Sequence, residues 1–207
     1  MIIAVVAADG RTGRVFVRRA LAAGHIVRAG VRRRSNLHPH QNLTVVLCDA
    51  TQEEDVRKLL EGAEAVASFI GHVKGSSARV QSNAMRVITK VMHTLKIRRI
   101  VSLTGTGARM PGDKTSLLDR LSQLVISFID PERVKDGQEH IKVLEQSELD
   151  WTVIRVVKLY DHLPRSYMLD VNGPGKLLVS RSEVAEACLN VLQDNSFVRQ
   201  APIIAKS

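Results

Sequence analysis

A glycine turn near the start of the chain has a spacing that suits phosphate binding. An apolar run over residues 2–8 leads into glycines at positions 10 and 13, where a helical pattern begins. Such a turn lets the backbone approach a diphosphate, and the helix start adds N–H donors and the positive end of a dipole. Its place between first strand and first helix predicts a dinucleotide site. The residues expected there are Ala7, Asp9, Gly10, Arg11, Thr12 and Gly13.

Arginines follow the second apolar run, residues 26–31. No Asp or Glu occurs from position 10 to position 48, whereas Arg32, Arg33 and Arg34 come directly after this run. An NAD site places a carboxylate here for the ribose 2′-hydroxyl, and an NADP site places arginine near the 2′-phosphate. Because the guanidinium fork matches a phosphate dianion, the sequence favours NADP, with Arg32 first and Arg33 next. A solvated basic loop is the alternative interpretation.

The chain lacks a tyrosine–lysine pair that could serve as a proton donor. Tyr160 and Tyr167 are followed, four residues later, by Pro164 and Val171. A carbonyl reductase needs a positioned proton donor as well as hydride. A quinone-like or flavin-like acceptor is less demanding, because its reduced form takes a proton from water. The sequence therefore favours hydride transfer to a small planar acceptor, without an essential tyrosine.

Three other side chains are candidates for the reactive end of the site. Thr104 ends the fifth apolar run, where a parallel sheet places its ligands. His72 follows the fourth run, and His140 precedes a helix predicted over residues 141–147. Each also has a structural interpretation: a buried strand hydroxyl for Thr104, a backbone-bonded loop residue for His72 and a solvated residue for His140.

Short apolar runs alternate with helical patterns along the chain. Nearly continuous runs are typical of strands buried on both faces of a parallel sheet, and i, i+4, i+7, i+8 spacing between them indicates helices. The alternation predicts an α/β fold: a doubly wound parallel (Rossmann) sheet whose first strand, residues 2–7, is central. The apolar runs are residues 2–8, 26–31, 43–48, 65–70, 100–103 and 151–157, and the helices centre on residues 56–60, 80–92 and 184–192.

One domain is expected for the 207 residues. Its sheet core would span residues 1–157. A small irregular segment on the substrate side, with the last helix and strand, would span residues 158–207. The least regular stretches, residues 105–116 and 160–175, follow predicted strands at the edge where ligands bind in such folds.

Composition narrows the classes of function. The net charge of +9 attracts an anion, either a phosphorylated cofactor or nucleic acid. Aromatic residues are 3% of the chain, which disfavours base stacking, and the absence of a recognition helix or zinc motif makes nucleic acid an unlikely partner. No metal site is expected, since His38 and His40 lack further ligands. The run over residues 2–8 is too short to cross a membrane, and Cys48 and Cys188 form no motif, so a cytoplasmic setting is expected.

Seven segments, spread over nearly the whole chain, share one resemblance. They read AADGRTG at 7–13, VR at 31–32, CDAT at 48–51, SFIG at 68–71, VSLTG at 101–105, LEQSELDWTVIR at 144–155 and SRSEVA at 180–185. In order and spacing they resemble the atypical short-chain dehydrogenases that have an NmrA-like or flavin-reductase-like NAD(P)-binding domain.

The resemblance implies further cofactor-binding positions. It implies that an aspartate lies by the adenine, that the SFIG segment runs under the nicotinamide ribose, and that the end of the fifth strand lies beside the nicotinamide. Valine also stands where the family usually has proline after the arginine at position 155. The positions implied are Asp49, Ala50, Ser68, Phe69, Ile70, Gly71, Thr104, Gly105 and Val156.

Two positions in the glycine turn depart from the family pattern. Ala7 replaces the first glycine, and alanine tolerates a positive φ poorly. Asp9 replaces the usual threonine and puts a carboxylate close to the expected diphosphate. Asp9 is expected to cap the helix start, with Arg11 offsetting its charge.

Two functions from different classes follow from these observations. The first is an NADP-dependent oxidoreductase whose partner is a small-molecule acceptor. The second is a non-catalytic NADP-binding regulator, in which the dinucleotide is a sensed ligand and the protein surface binds a protein partner. The missing tyrosine–lysine pair favours the second, and a cleft open to a planar acceptor would favour the first.

Overall fold

A twisted, mainly parallel sheet forms the centre of the molecule. The computed structural model describes residues 1–33, 35–114 and 130–207. Within them, eight strands form the main sheet, in the order β3-β2-β1-β4-β5-β6-β10-β8. These strands are β1 (Ile2–Val6), β2 (Ile26–Val31), β3 (Leu43–Leu47), β4 (Ala65–Ser68), β5 (Arg99–Gly105), β6 (Asp150–Val156), β8 (Met168–Asp170) and β10 (Ile203–Ala205).

β1 lies inside the sheet because its residues are apolar on both faces. It pairs in parallel with β2 on one side and with β4 on the other. Ile3, Ala4 and Val5 are fully buried. The order β3-β2-β1-β4-β5-β6 is that of a doubly wound sheet, in which the strand order reverses between β1 and β4. The predicted fold, with a central first strand, is confirmed.

Helices cover both faces of this sheet. α1 (Arg11–Ala22) and α5 (Arg181–Asp194) pack into the apolar core on one face, and α2 (Glu53–Leu60), α3 (Val80–Leu95) and α4 (Pro131–Glu145) pack into the core on the other. The crossovers bring the carboxyl ends of the parallel strands to one edge, where the predicted site lies. In the part of the chain that the structure describes, no helix combines the length and apolarity needed to cross a membrane.

The last third of the chain completes the sheet and borders its ligand edge. β10 pairs in parallel with β6, and β8 pairs with β10 in the antiparallel sense. The sheet thus takes in two strands beyond residue 157. β7 (Lys158–Tyr160) and β9 (Leu178–Ser180) form a separate parallel pair, which leads directly into α5.

α4 begins earlier than the sequence predicts. The helix expected from residue 141 begins at Pro131, and the Asp130 side chain accepts a hydrogen bond from the backbone N of Arg133. A capping aspartate followed by proline is a strong helix start, but the polar residues that follow obscure the apolar period. The prediction that His140 precedes a helix is wrong, since this residue lies inside α4 and is buried.

Two of the sequence features fall partly outside the described residues. Arg34, the third arginine after β2, is one of them. The last two residues of the irregular stretch at 105–116 are the other.

Candidate active site

A cleft of about 920 Å³ opens along the carboxyl ends of the parallel strands. It crosses the point between β1 and β4 where strand order reverses, which is where ligands bind in doubly wound sheets. Of the residues predicted from the sequence, Gly13, Ser68 and His140 do not line it. Those that do are Ala7, Asp9, Gly10, Arg11, Thr12, Arg32, Arg33, Asp49, Ala50, Phe69, Ile70, Gly71, His72, Thr104, Gly105 and Val156.

The turn after β1 leaves no room for side chains where the helix meets the strand. Gly10 N donates to Ala7 O at 3.0 Å, and a Cβ on Gly13 would lie 2.4 Å from the same oxygen. Gly13 therefore permits α1 to pack against the turn. Ala7 has a φ of 58°, the left-handed conformation that glycine adopts at lower cost. The alanine keeps the geometry of the turn but strains its backbone.

The N-terminus of α1 is open to a ligand. Its N-cap residue is Gly10, and no side chain forms a capping hydrogen bond. The expectation that Asp9 caps this helix, with Arg11 offsetting its charge, is wrong. Asp9 pairs instead with Arg14, whose Nε lies 3.2 Å from Oδ1 and also donates to Asp9 O at 2.8 Å. An uncapped helix start keeps its N–H donors for an oxyanion, so this turn fits the diphosphate of a dinucleotide.

The arginine-rich segment divides into structural residues and cleft residues. Arg28 donates to two backbone oxygens at the end of α2, and Arg19 donates to a serine side chain on α5. Arg32 and Arg33, by contrast, are exposed and line the cleft directly after β2. Arg32 and Arg33 therefore lie at the cleft, together with Arg11 at the start of α1, and their binding to a ligand stays a prediction.

Asp49 lies beside these arginines at the end of β3. Its Oδ1 accepts hydrogen bonds from Thr51 N at 2.9 Å and from Thr51 Oγ1 at 2.7 Å. These bonds, together with the charge of Arg32, lower the pKa of Asp49, so it is ionised at neutral pH. Burial, together with the charges of Asp55 and Asp49, raises the pKa of the neighbouring Cys48 thiol to about 12, which excludes it as a nucleophile at neutral pH.

The opposite end of the cleft is lined by small and apolar residues and by two arginines, Arg133 and Arg181. Thr104 at the end of β5 is buried. A Cβ on Gly137 of α4 would lie 2.8 Å from Thr104 Oγ1, so only glycine lets this helix approach β5. On the floor between the two ends, the Phe69 ring packs against Phe16 with ring centroids 5.0 Å apart. Ser68, below Phe69, is buried inside β4 and does not reach the cleft.

His72 is held in the cleft wall by a buried carboxylate. Its Nε2 lies 3.0 Å from Asp136 Oδ2 and 3.1 Å from Ala78 O. Asp136 on α4 also accepts from Gln81 N at 2.9 Å, from Ser82 N at 3.0 Å and from Ser82 Oγ at 2.5 Å. Its side chain is fully buried, and that of His72 is 11% exposed. This arrangement fixes the imidazole ring and commits Nε2, which leaves Nδ1 for a ligand.

His140 is separated from the cleft. Its Nε2 lies 2.9 Å from Ser102 Oγ, and its Nδ1 is buried with no partner among the described residues. Burial lowers the pKa of His140 to about 4, although the charge of Asp136 acts in the opposite direction. This imidazole is neutral at pH 7 and has no path to a ligand in the cleft, so it packs between α4 and β5.

Neither tyrosine lines the cleft. Tyr160 ends β7, where its ring lies 5.2 Å from that of His162. Tyr167 is half-buried in a separate groove against α5. Burial is the main cause that raises the pKa of Tyr167 to about 12.

Two charged residues of the site carry no signal that would reveal them in the sequence. Asp136 stands in a helix with no recognisable spacing to His72, and the two meet because α4 packs beside the loop after β4. Arg181 begins α5 and lines the cleft from a position far from the glycine turn. Its segment enters the family resemblance, but neither its type nor its spacing indicates a ligand.

Sequence comparison matches residues 7–195 to a family model described as NAD(P)H-binding. The chain belongs to this NAD(P)H-binding family. The match covers the glycine turn, the arginines after β2 and the segments that end β4, β5 and β6. The resemblance to atypical short-chain dehydrogenases is confirmed.

Solved structures share the whole fold. A short-chain dehydrogenase/reductase from Veillonella parvula, solved in complex with NADP, is 19% identical with a TM-score of 0.83, over 99% of this chain and 94% of that chain. A "putative NADH-flavin reductase" from Streptococcus pneumoniae is 19% identical with a TM-score of 0.79, over 100% of both chains. A Rossmann-fold NAD(P)-binding family protein from Shigella flexneri is 16% identical with a TM-score of 0.74, over 99% of this chain and 93% of that chain. At these identities the likeness shows the fold.

Proposed function

We propose that this protein is an NADPH-dependent reductase that transfers hydride to a small planar acceptor of the quinone or flavin class. The observation that carries the proposal is the cleft itself. It joins an uncapped helix start and two exposed arginines at one end to a pocket of small and apolar residues, bordered by a fixed histidine and by Arg181, at the other. The first end suits a phosphorylated dinucleotide, and the second suits a flat ring.

The choice of NADPH over NADH rests on the charges that follow β2. Arg32 and Arg33 are exposed there, and Asp49, the nearest carboxylate in the cleft lining, is already engaged by Thr51. A 2′-phosphate would receive charge-assisted hydrogen bonds from these guanidinium groups. The 2′-hydroxyl of NADH offers no charge to them.

Replacing Arg32 tests the choice of cofactor. We expect Arg32→Glu to weaken NADPH binding roughly tenfold to a hundredfold, since each charge-assisted contact contributes about 1.5–3 kcal/mol, and to change NADH binding far less. Arg18→Glu is the matched control, because Arg18 is exposed on α1 outside the cleft. Titration of both variants with both dinucleotides measures the effect. Equal affinity of the native protein for NADPH and NADH would overturn the choice.

The walls of the cleft would hold the acceptor ring against the nicotinamide. NADPH, when bound, supplies a hydride. Thr104, Gly105 and Val156 line the end where the dihydronicotinamide would lie, and Gly137 brings α4 close enough to exclude water from it. The protein's contribution is thus orientation in a dry site. A tyrosine is not required, since neither Tyr160 nor Tyr167 reaches the cleft.

His72 is the best-placed proton donor for the reduced acceptor. In its protonated form, His72 would give the proton on Nδ1 to an oxygen or nitrogen of the acceptor as the hydride arrives. The ring would then be neutral, and its Nε2–H would remain hydrogen-bonded to Asp136. Solvent at the cleft mouth would then reprotonate it. Asp136 holds the ring through Nε2, so the imidazole is already oriented when the acceptor binds.

A histidine substitution tests this role. We expect His72→Gln to lower turnover with a quinone by well under the roughly hundredfold typical of a missing general acid, because water can supply the proton instead, and to leave NADPH affinity unchanged. His93→Gln, at an exposed position on α3, is the control. The double variant Tyr160→Phe, Tyr167→Phe should retain turnover. If that double variant loses a hundredfold and His72→Gln loses nothing, a tyrosine is the donor.

A non-catalytic NADPH sensor is the second candidate. The observation in its favour is that no tyrosine lines the cleft among the described residues. Tight NADPH binding without turnover on a panel of quinones, flavins and aldehydes would support the sensor and contradict the reductase.

A further inference from the structure

Among the residues that the structure describes, three arginines are buried, and they differ in how completely their donors are used. Arg155 donates to Asp113 through both Nη atoms and to the backbone oxygens of Ala108, Val171 and Ala201. Arg99 donates from both Nη atoms to the ends of β6 and α5, although its Nε, like that of Arg181, is buried without a partner among the described residues. Both act as structural clamps. Arg181 is the exception.

The guanidinium of Arg181 is nearly enclosed but hardly bonded. Its side chain is 6% exposed, yet its one hydrogen bond among the described residues runs from Nη1 to Asp161 Oδ1 at 2.7 Å. Asp161 is itself 71% exposed. Nε is buried without a partner among those residues. A buried cation left this unsatisfied is costly unless a further acceptor binds to it.

Arg181 lies in the cleft wall, at the end opposite Arg32. It follows β9, which pairs with β7, and β7 follows β6. Arg181 therefore enters the cleft from the start of α5, and Arg32 enters it from the end of β2.

The charge of the lining also calls for more than one anionic group. The described lining residues include six cationic side chains and two carboxylates. The cations are Arg11, Arg32, Arg33, Lys74, Arg133 and Arg181, and the carboxylates are Asp9 and Asp49. Such a lining attracts a ligand with several negative charges.

We propose that Arg181 binds an oxyanion, a phosphate or carboxylate carried by the acceptor, through Nη2, the guanidinium nitrogen that is neither enclosed nor hydrogen-bonded to a described residue. The proposal rests on the reductase function and narrows its substrates to planar acceptors with an anionic substituent. Nη2 carries two N–H donors and forms charge-assisted hydrogen bonds with the oxygens of such a group. The other source of the same chemistry is the diphosphate of the cofactor.

FMN and riboflavin form a matched pair of probes, because they share one ring system and differ by a phosphate. Flavin fluorescence with saturating NADP⁺ measures their binding to the whole protein without turnover. We expect the native protein to bind FMN more tightly than riboflavin. Arg181→Gln should weaken FMN binding roughly tenfold or more and leave riboflavin within about twofold. Arg18→Gln is the charge-matched control.

Asp161→Asn gives a second, milder test at an exposed position. Asparagine can still accept from Nη1 but removes the negative charge beside the guanidinium, so FMN should bind about two- to fivefold more tightly, the range expected for losing one exposed ion pair. This variant keeps the proposal testable even if Arg181→Gln unfolds, which its circular dichroism would show.

The outcomes separate the two sources and the two hypotheses. Loss of FMN binding with NADPH affinity intact supports the acceptor as the source. Equal weakening of NADPH and NADH in Arg181→Gln, with both flavins unaffected, supports the oxyanion subsite but assigns it to the cofactor diphosphate. No FMN preference in the native protein, or no change in any ligand, overturns the proposal. Failure of the reductase function is seen separately, as the absence of NADPH oxidation by the native protein.

Discussion

Single residues in the cleft carry conformations and contacts that local sequence rules disfavour. Ala7 has a positive φ, Gly137 lies inside a helix, and Arg181 is buried with one hydrogen bond to the part of the chain that the structure describes. Each departs from a common preference, and each lies where β1, β5 or α5 meets the cleft. Strain and unsatisfied groups of this kind cluster at ligand sites, because the surrounding fold holds them in place.

At this scale we expect Ala7→Gly to stabilise the protein. A non-glycine residue in the left-handed region destabilises the folded state by about 1–2 kcal/mol, and glycine removes this strain. Glycine also gives the unfolded chain more conformational freedom, which offsets about 0.4–1 kcal/mol of the gain. A net gain of roughly 0.5–1 kcal/mol in the free energy of unfolding should appear in urea denaturation.

Ala8→Gly is the control for that substitution. Ala8 is fully buried and has no positive φ, so the same exchange should destabilise the protein. A less stable Ala7→Gly variant would show that the backbone at this turn is not strained.

Elements position these residues through close contacts between helix and strand. α4 approaches β5 at Gly137 and carries Asp136 to the loop after β4. Arg155 on β6 donates two hydrogen bonds to the Asp113 carboxylate and so holds the loop after β5 in place. The walls of the cleft therefore depend on how closely these elements pack.

Gly137→Ala tests that packing. Alanine gains about 1 kcal/mol in helix propensity, but its Cβ would overlap Thr104 Oγ1, and overpacking costs about 1–3 kcal/mol. We expect a net loss of roughly 1 kcal/mol in the free energy of unfolding. Gln138→Ala, at the exposed neighbour, should cause no such loss. A Gly137→Ala variant more stable than the native protein would contradict the close approach.

The whole molecule carries a net positive charge and also buries a histidine whose protonation the fold disfavours. The net charge is +9, and the two apolar cores lie on opposite faces of the sheet. One face holds the buried His140, whose lowered pKa makes the stability of the entire fold depend on pH.

We expect the free energy of unfolding to fall as pH drops from 7.5 to 4.5. Below the ordinary value of 6.5 the unfolded chain binds a proton at His140, while the folded protein resists it until about pH 4. The unfolded state therefore gains stability, by up to about 3 kcal/mol at 1.36 kcal/mol per pH unit. His25, whose pKa is also lowered, acts in the same direction.

Urea denaturation of the native protein and of His140→Gln across this range isolates the contribution of His140. The variant should lose most of the pH dependence. Identical slopes for the two proteins would mean that His140 takes up its proton in the folded state.

Much of the fold follows from local sequence. Continuous apolar runs predict the parallel strands, because a strand that is buried on both faces has apolar residues on both. Glycines at 10 and 13 mark the dinucleotide turn, since a Cβ at 13 would collide with the backbone. The location of the arginines after β2 could be predicted without knowing their contacts. Residues that directly follow a strand of a doubly wound sheet lie at the edge where ligands bind.

Tertiary packing settled the rest. His72 and His140 look alike in the sequence, yet one lines the cleft on Asp136 and the other is sealed against Ser102. The side chain of Asp9 pairs with Arg14 and does not cap the amides at the start of α1. Partners such as Asp136 and Arg181 come from far along the chain, and local periodicity carries no information about which distant groups meet. Burial, and with it charge and proton affinity, is set only when the helices close over the sheet.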